Sequence, residues 1–173
     1  MAETSTDTQR VLHDGAFVLT KSGSIDFGEL TQDIAHAIKR QAGKIRLRVG
    51  REEKDGRNNY GEAHIQRPDR MKQLRAAGFE NARDFVAYVA SDFDAIYKGT
   101  GTSLIVCKKS DLHHIMYIAL EPAADGDFYD VKSCLLSRES YLKNKPPLWA
   151  KPTGGDYSKR NGKGADQSMR CIP

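Results

Sequence analysis

Between Ser103 and Leu136 the chain carries three β-prone runs, SLIVCKK (103–109), HHIMYIALE (113–121) and DFYDVKSCLL (127–136), joined only by KSDL and PAADG. Connections this short cannot hold a crossover helix, so neighbouring runs must pair antiparallel, and the segment predicts a three-stranded meander. Such a sheet needs an apolar cover, and the upstream sequence supplies helical stripes for it. Leu30, Ile34, Ala37 and Ile38 recur at helical spacing, with Thr31 or Asp26 as cap, Lys39 and Arg40 at the negative end of the dipole, and Gly43 as the stop. Pro68 opens a short helix through Ala77, with Met71 and Leu74 inward and Gly78 at its end. Asn81 caps a longer one whose stripe runs Phe85, Val86, Val89, Phe93 and Ile96, with a break expected near Ser91-Asp92.

Two further strands are expected. AFVLT (16–20) is one, and KIRLRVG (44–50) is the other, alternating Ile45, Leu47 and Val49 with Lys44, Arg46 and Arg48, so that one face is apolar and one cationic. A short helical turn falls within Arg138 to Lys145, before Pro146-Pro147 stop regular structure. The expected fold class is therefore α+β, with N-terminal helices packed on a small antiparallel meander. One domain spans 16–150, between a polar leader (1–15) and a Gly-, Lys- and Ser-rich basic tail (151–173).

The 173 residues are 39% hydrophobic with a mean hydropathy of -0.61, which suits one such domain. No run approaches the roughly 18 uncharged apolar residues of a membrane span, and MAETSTDTQR lacks a secretory pattern, so no membrane partner is expected. Cys107, Cys134 and Cys171 show neither CxxC nor Cys/His spacing, there is no HExxH, and adjacent His113 and His114 point to opposite sides of a strand, one packed and one exposed. Without GxGxxG or GxxxxGK[ST], nucleotide-cofactor chemistry is unsupported. Neither a metal nor a cofactor is expected. The net charge of +4 is unevenly spread: residues 1–38 carry 2 basic and 6 acidic side chains, 39–75 carry 12 and 5, 76–130 carry 4 and 9, and 131–173 carry 9 and 3. A polyanion would meet two basic stretches wherever the fold brings them to one surface.

One segment carries proton-transfer chemistry. In Gly61-Glu62-Ala63-His64-Ile65-Gln66-Arg67 an imidazole has a carboxylate two residues before it and a guanidinium three after, a set that can move protons and neutralise phosphate near neutral pH. The plainer alternative is a helix-start histidine satisfying a backbone group. On the third meander run, alternation puts Tyr129, Val131, Ser133 and Leu135 on one side and Phe128, Asp130, Lys132 and Cys134 on the other. Lys132 and Ser133 then share a face only if a bulge intervenes. Tyr141 and Trp149 offer base-stacking surfaces, although Leu148-Trp149 serves equally well as a plug that fastens the chain to the core.

The order of these segments resembles the barnase/EndoU/colicin/RelE-type nuclease domains of phage polyproteins and bacterial polymorphic toxins. The resemblance is carried by Gly23-Ser24-Ile25-Asp26-Phe27-Gly28, Lys44-Ile45-Arg46-Leu47, Gly61-Glu62-Ala63-His64-Ile65, Gly78-Phe79 leading into Asp84-Phe85-Val86, and Asp127 to Ser133. It covers about residues 18–150 and implies a helical N-terminal part on a four-stranded antiparallel sheet. It further implies metal-independent RNA cleavage by attack of the ribose 2′-hydroxyl on the adjacent phosphate, with His64 and Ser133 at the positions of the active histidine and hydroxyl; Ser133 stands where the family often has Thr.

On this reading His64 transfers protons, and Glu62 either orients it or carries the second proton. Arg67 and Lys132 stabilise charge, Ser133 and Tyr129 donate to phosphate, and Arg46, Arg48 and Tyr141 hold RNA. The partners implied are RNA, with tRNA among the candidates, and an acidic immunity protein. The site of action is cytoplasmic, reached through a secretion system or phage particle. The alternative expectation is a non-catalytic phage or nucleic-acid-associated binding protein of the same fold.

Overall fold

The computed structural model describes residues 13–153, so the expected leader and basic tail lie outside the described residues except for 13–15 and 151–153. The strands are β1 (Gly28–Leu30), β2 (Gly43–Arg46), β3 (Ala95–Lys98), β4 (Leu104–Lys108), β5 (His113–Glu121), β6 (Phe128–Ser137) and β7 (Trp149–Ala150). They form one seven-stranded sheet in the order β1-β2-β6-β5-β4-β3-β7. The helices are α1 (Gln32–Ile38), α2 (Gly61–Ile65), α3 (Pro68–Ala76) and α4 (Ala82–Ser91), followed by a 3-10 turn at Glu139–Tyr141.

The meander is present as β4, β5 and β6, antiparallel throughout. It sits inside a larger mixed sheet, because β2 joins β6 in parallel through Ile45 opposite Tyr129 and Arg46 opposite Asp130. The α+β class holds. The helices, however, do not precede the sheet: β1 and β2 come before α2, and α2, α3 and α4 fill the connection from β2 to β3. α4 ends at Ser91, so Ile96 belongs to β3 and not to the helical stripe. The Asp92-Phe93-Asp94 stretch stops the helix by offering side-chain acceptors to other backbone, Asp94 Oδ2 taking the Lys109 N–H at 2.7 Å. α1 is capped by Thr31 and closes at Lys39, whose φ of 56° ends the helix before the expected Gly43.

Alternation explains the two faces of the sheet. Ile45, Leu47, Ile96, Val106, Met116, Ile118 and Val131 face the helices and meet Ile65, Leu74, Phe85, Val86 and Val89 in the main core. Removing each of these from water stabilises the fold by roughly 1.5–3 kcal/mol before entropy is counted. On the other face Ala95, Tyr97, Ile105, Cys107 and Ile115 pack under Leu142, just beyond the 3-10 turn. His113 and His114 are both buried, at 7% and 6% exposure, because both faces are covered at that end of β5. AFVLT forms no full strand; Phe17 bridges to Arg48, and the Val18 N–H donates to the Leu47 carbonyl. Asp14 already packs, its carbonyl accepting from Gly50 N and the Tyr60 hydroxyl. Trp149 closes the far edge against Phe93, with ring centroids 5.6 Å apart.

Candidate functional site

A β-bulge decides which β6 side chains can act together. Tyr117 of β5 lies opposite Ser133, but Ile118 lies opposite Val131, which leaves Lys132 as the extra residue. The consequence appears in the packing: Tyr129 and Val131 point into the main core, and so does Cys134, three residues on. Lys132 and Ser133 therefore both leave the helical face, and simple alternation is broken between them. Tyr129 goes the other way. It is 2% exposed and its hydroxyl donates to the Gln41 carbonyl at 2.6 Å, so it does not join Lys132 and Ser133. The hydroxyl of Ser133 has no protein partner among the described residues.

Beside the bulge lies a buried carboxylate. Asp130 is fully buried and its Oδ2 receives Arg48 Nη2 at 2.6 Å and Lys132 Nζ at 2.7 Å. Lys132 also donates to Glu121 Oε1 at 2.7 Å. Asp130 Oδ1 and Arg48 Nε are buried without a hydrogen-bond partner. A carboxylate so placed costs several kcal/mol of desolvation unless cations compensate, and the two beside it do so. Burial works against the charge on Arg48, but Asp130 outweighs it and the net shift of its pKa is upward. Tyr60 completes the cluster: its ring centroid is 4.7 Å from the Arg48 guanidinium, 5.0 Å from Lys132 Nζ and 6.0 Å from Arg51.

Arg46, expected to grip RNA, is otherwise engaged. It is 5% exposed, makes a two-point contact with Asp125 at 2.7 and 3.1 Å, and donates from Nε to Asp26 at 2.6 Å. Its guanidinium also lies over the rings of Phe17 and Phe128. Asp125 chiefly, with Asp26 and against burial, holds its pKa far above the usual arginine value. It fastens the β1 and β5–β6 connections to β2 and is not available to a polyanion.

The histidine lies on α2, which begins immediately after Tyr60. The chain reaches it through a close backbone crossing of Gly50 and Gly61. Both have positive φ, 69° and 75°; a Cβ on Gly50 would sit 1.9 Å from the Tyr60 carbonyl oxygen, and one on Gly61 2.6 Å from that of Arg48. Across this crossing Glu62 N donates to the Arg48 carbonyl and Ala63 N to that of Val49, while Arg51 and Tyr60 exchange both backbone bonds. The exchange carries Glu52, one residue beyond Arg51, to the imidazole, and His64 Nδ1 lies 2.5 Å from Glu52 Oε2. A carboxylate accepts only, so Nδ1 carries the proton and Nε2 is the basic nitrogen of the neutral ring. Arg67 Nη1 stands 3.4 Å from Nε2, and Arg67 Nε pairs with Asp69 at 3.1 Å. The side chain of His64 is 17% exposed.

Glu62 does not take part in this pair. Two positions from His64 on a helix, it points away; burial raises its pKa above the usual carboxylate value and Arg83 of α4 opposes the rise. Glu52, not Glu62, is the carboxylate in contact with the imidazole. Tyr141 stands on the open side of the sheet, 48% exposed, with its hydroxyl 2.5 Å from that of Tyr117, the cross-strand partner of Ser133.

Two groups therefore flank Tyr60: His64, Glu52 and Arg67 on the helix that begins after it, and Arg48, Asp130, Lys132 and Glu121 on the β6 side, where Arg48 and Lys132 lie over its ring, with Ser133 next along the strand. Sequence reasoning missed Glu52, Asp130, Glu121 and Tyr60. Asp130 was legible only as a charge amid a β run, DFYDVK, where an acid that cannot reach solvent needs a cation. The other three depend on chain crossing that no local pattern announces. Cavities of about 390, 420, 430 and 520 Å³ elsewhere on the molecule are lined by other residues, and no member of the two groups lines them. Among the described residues no group of three or more His, Cys, Asp or Glu is placed to hold a metal ion. Comparison with protein-family models, curated proteins and solved structures finds no match to this chain.

Proposed function

We propose that the protein is a metal-independent endoribonuclease, of the barnase/EndoU/colicin/RelE type that its motifs resemble, acting as a toxin or phage effector. The observation that supports this best is a bulge that turns a lysine and a hydroxyl to the same side, with the lysine over the ring of Tyr60, and an imidazole held at Nδ1 by Glu52 on the helix that starts after that tyrosine. In the reaction the ribose 2′-oxygen bonds to phosphorus and the bond from phosphorus to the 5′-oxygen breaks, leaving a 2′,3′-cyclic phosphate and a 5′-hydroxyl. His64 Nε2 is the atom that exchanges the proton, and Glu52 holds the ring for it. Lys132 and the Ser133 hydroxyl face the added charge of the five-coordinate phosphorus, with Arg48 and Asp130 fixing the lysine behind them.

A second reading has its own support. Arg48 and Lys132 are already neutralised by Asp130 and Glu121, which leaves them less charge to offer a transition state and suits a non-catalytic protein whose binding relies on other cations. Incubation of the purified protein with RNA in EDTA separates the two. Cleavage with cyclic-phosphate ends, lost in His64→Ala, is the outcome expected of the enzyme; binding without cleavage refutes it in favour of the module.

A further inference from the structure

The cations that sequence alternation offers for gripping RNA are largely spent. Arg46 is held by Asp26 and Asp125, Arg48 and Lys132 share Asp130 and Glu121, and Arg67 pairs with Asp69. A polyanion gains little from a charge that already has a carboxylate, because binding must first weaken the existing pair. Among the described residues, Arg51 and Arg70 stand out as half-buried cations with no carboxylate partner, and both border the candidate site.

Arg51 lies at the Tyr60 end. Its Nε donates to the Asn58 carbonyl at 3.3 Å, its guanidinium is 6.0 Å from the Tyr60 ring centroid, and its backbone pairs with Tyr60 in both directions. Arg70 lies at the other end. It projects from α3, which packs on β6, and its Nη1 donates to Gln73 Oε1 at 3.2 Å. That strand carries Ser133 and Cys134, and the Arg70 charge is felt by Cys134 and by Tyr117 of β5, where it opposes the rise in pKa that burial causes. Tyr117 is opposite Ser133 and shares its hydroxyl contact with Tyr141. Each guanidinium is oriented by a neutral acceptor, so its stem is partly fixed while its charge is not offset by a carboxylate. The exposed cations Arg57 and Arg75 have no such restraint, and Arg40, which donates to the Lys39 carbonyl, is exposed and lies beyond the end of α1.

We infer that Arg51 and Arg70 hold the RNA phosphates on either side of the reacting one, Arg51 beyond Tyr60 and Arg70 beyond Ser133 and Tyr141. The inference rests on the ribonuclease reading and deepens it: the substrate is a single-stranded segment with at least three consecutive phosphates in contact, lying across the bulge. Duplex RNA would not leave its bases free to meet Tyr141.

The test uses the full chain carrying His64→Ala, so that RNA is bound and not cut, with a fluorescent single-stranded oligoribonucleotide of mixed sequence as probe. Affinity is measured across a range of salt concentrations. Arg51→Gln and Arg70→Gln should each lower the slope of log K against log salt by about 0.7, the value per phosphate contact for single strands, and the pair by about 1.4. Arg51→Lys and Arg70→Lys should restore the slope, which a loss of folding would not do. Arg75→Gln, at an exposed arginine without such a restraint, should leave it unchanged. Unchanged slopes in Arg51→Gln and Arg70→Gln, with the His64→Ala parent still binding, overturn this inference alone. Neither binding nor cleavage of RNA by the wild-type chain overturns the ribonuclease reading and this inference with it.

Discussion

Replacing Asp130 by Asn removes the one buried charge that holds two cations together, while preserving shape. Asp130 is 0% exposed, and its Oδ2 takes Arg48 at 2.6 Å and Lys132 at 2.7 Å. Breaking a buried pair from one side costs about 3–5 kcal/mol, because the remaining charge is left uncompensated. Here Lys132 keeps Glu121, and Arg48, 20% exposed, keeps the Tyr60 ring and some water. The expected loss is therefore nearer about 2–3 kcal/mol, which for a domain of this size is a fall in Tm of about 6–12 °C. Thermal melting followed by circular dichroism reads it directly. The loss should shrink when Lys132→Met is added, since Arg48 and Lys132 repel once nothing bridges them, and the double-mutant cycle gives that coupling. An Asp130→Asn protein melting within about 2 °C of wild type would refute the reasoning, since the structural role assigned to the carboxylate would then be absent.

Two other perturbations probe the surroundings of the site. Gly50→Ala should destabilise by more than about 2 kcal/mol, the left-handed backbone term plus relief of the collision with the Tyr60 carbonyl, whereas Gly56→Ala, at a similar φ of 67° in open space, should cost only the first term; equal melting temperatures for the two variants would contradict the close crossing. His114, packed among Phe79, Phe85 and Tyr88, has its pKa lowered by burial, with the Leu112 carbonyl opposing. The unfolded chain then binds more protons than the fold below its ordinary pKa of about 6.5, so stability is full above that pH and falls as pH drops through it. His114→Phe should lose less Tm than wild type on going from about pH 7.5 to about pH 5.5, and an identical loss would contradict the assignment.

What was legible in the sequence was local. The meander could be read because period-2 runs with connections of four and five residues leave no other pairing, and the inward stripes of α3 and α4 because Met71, Leu74, Phe85, Val86 and Val89 recur at helical spacing. The strand alternation of KIRLRVG correctly separated Ile45 and Leu47 from Arg46 and Arg48. It was silent on what faces a cation, and so could not tell that Asp26 and Asp125 consume Arg46. The break near Ser91-Asp92 falls where it was expected, but the helix does not restart, because Ile96 keeps helical phase with Val89 while pairing as a strand with Val106 and Trp149. The bulge is the costliest omission. One extra residue leaves no mark on composition, yet it moves Ser133 off the core face with Lys132 and leaves Tyr129 behind. Glu52 was hidden for a related reason: its approach to His64 depends on the Gly50–Gly61 crossing, where two chain segments meet backbone to backbone.

The account depends on His64 as the proton-transfer group, and the most direct measurement is the single-turnover rate of RNA cleavage in EDTA by His64→Ala relative to wild type. The imidazole is partly exposed and its loss removes only polar contacts, with Glu52 and the long one with Arg67, so the variant should melt close to wild type. The account predicts a rate lower by about 10²–10⁴-fold, the usual contribution of a positioned general acid or base. A folded His64→Ala protein that cuts RNA at the wild-type rate would contradict it.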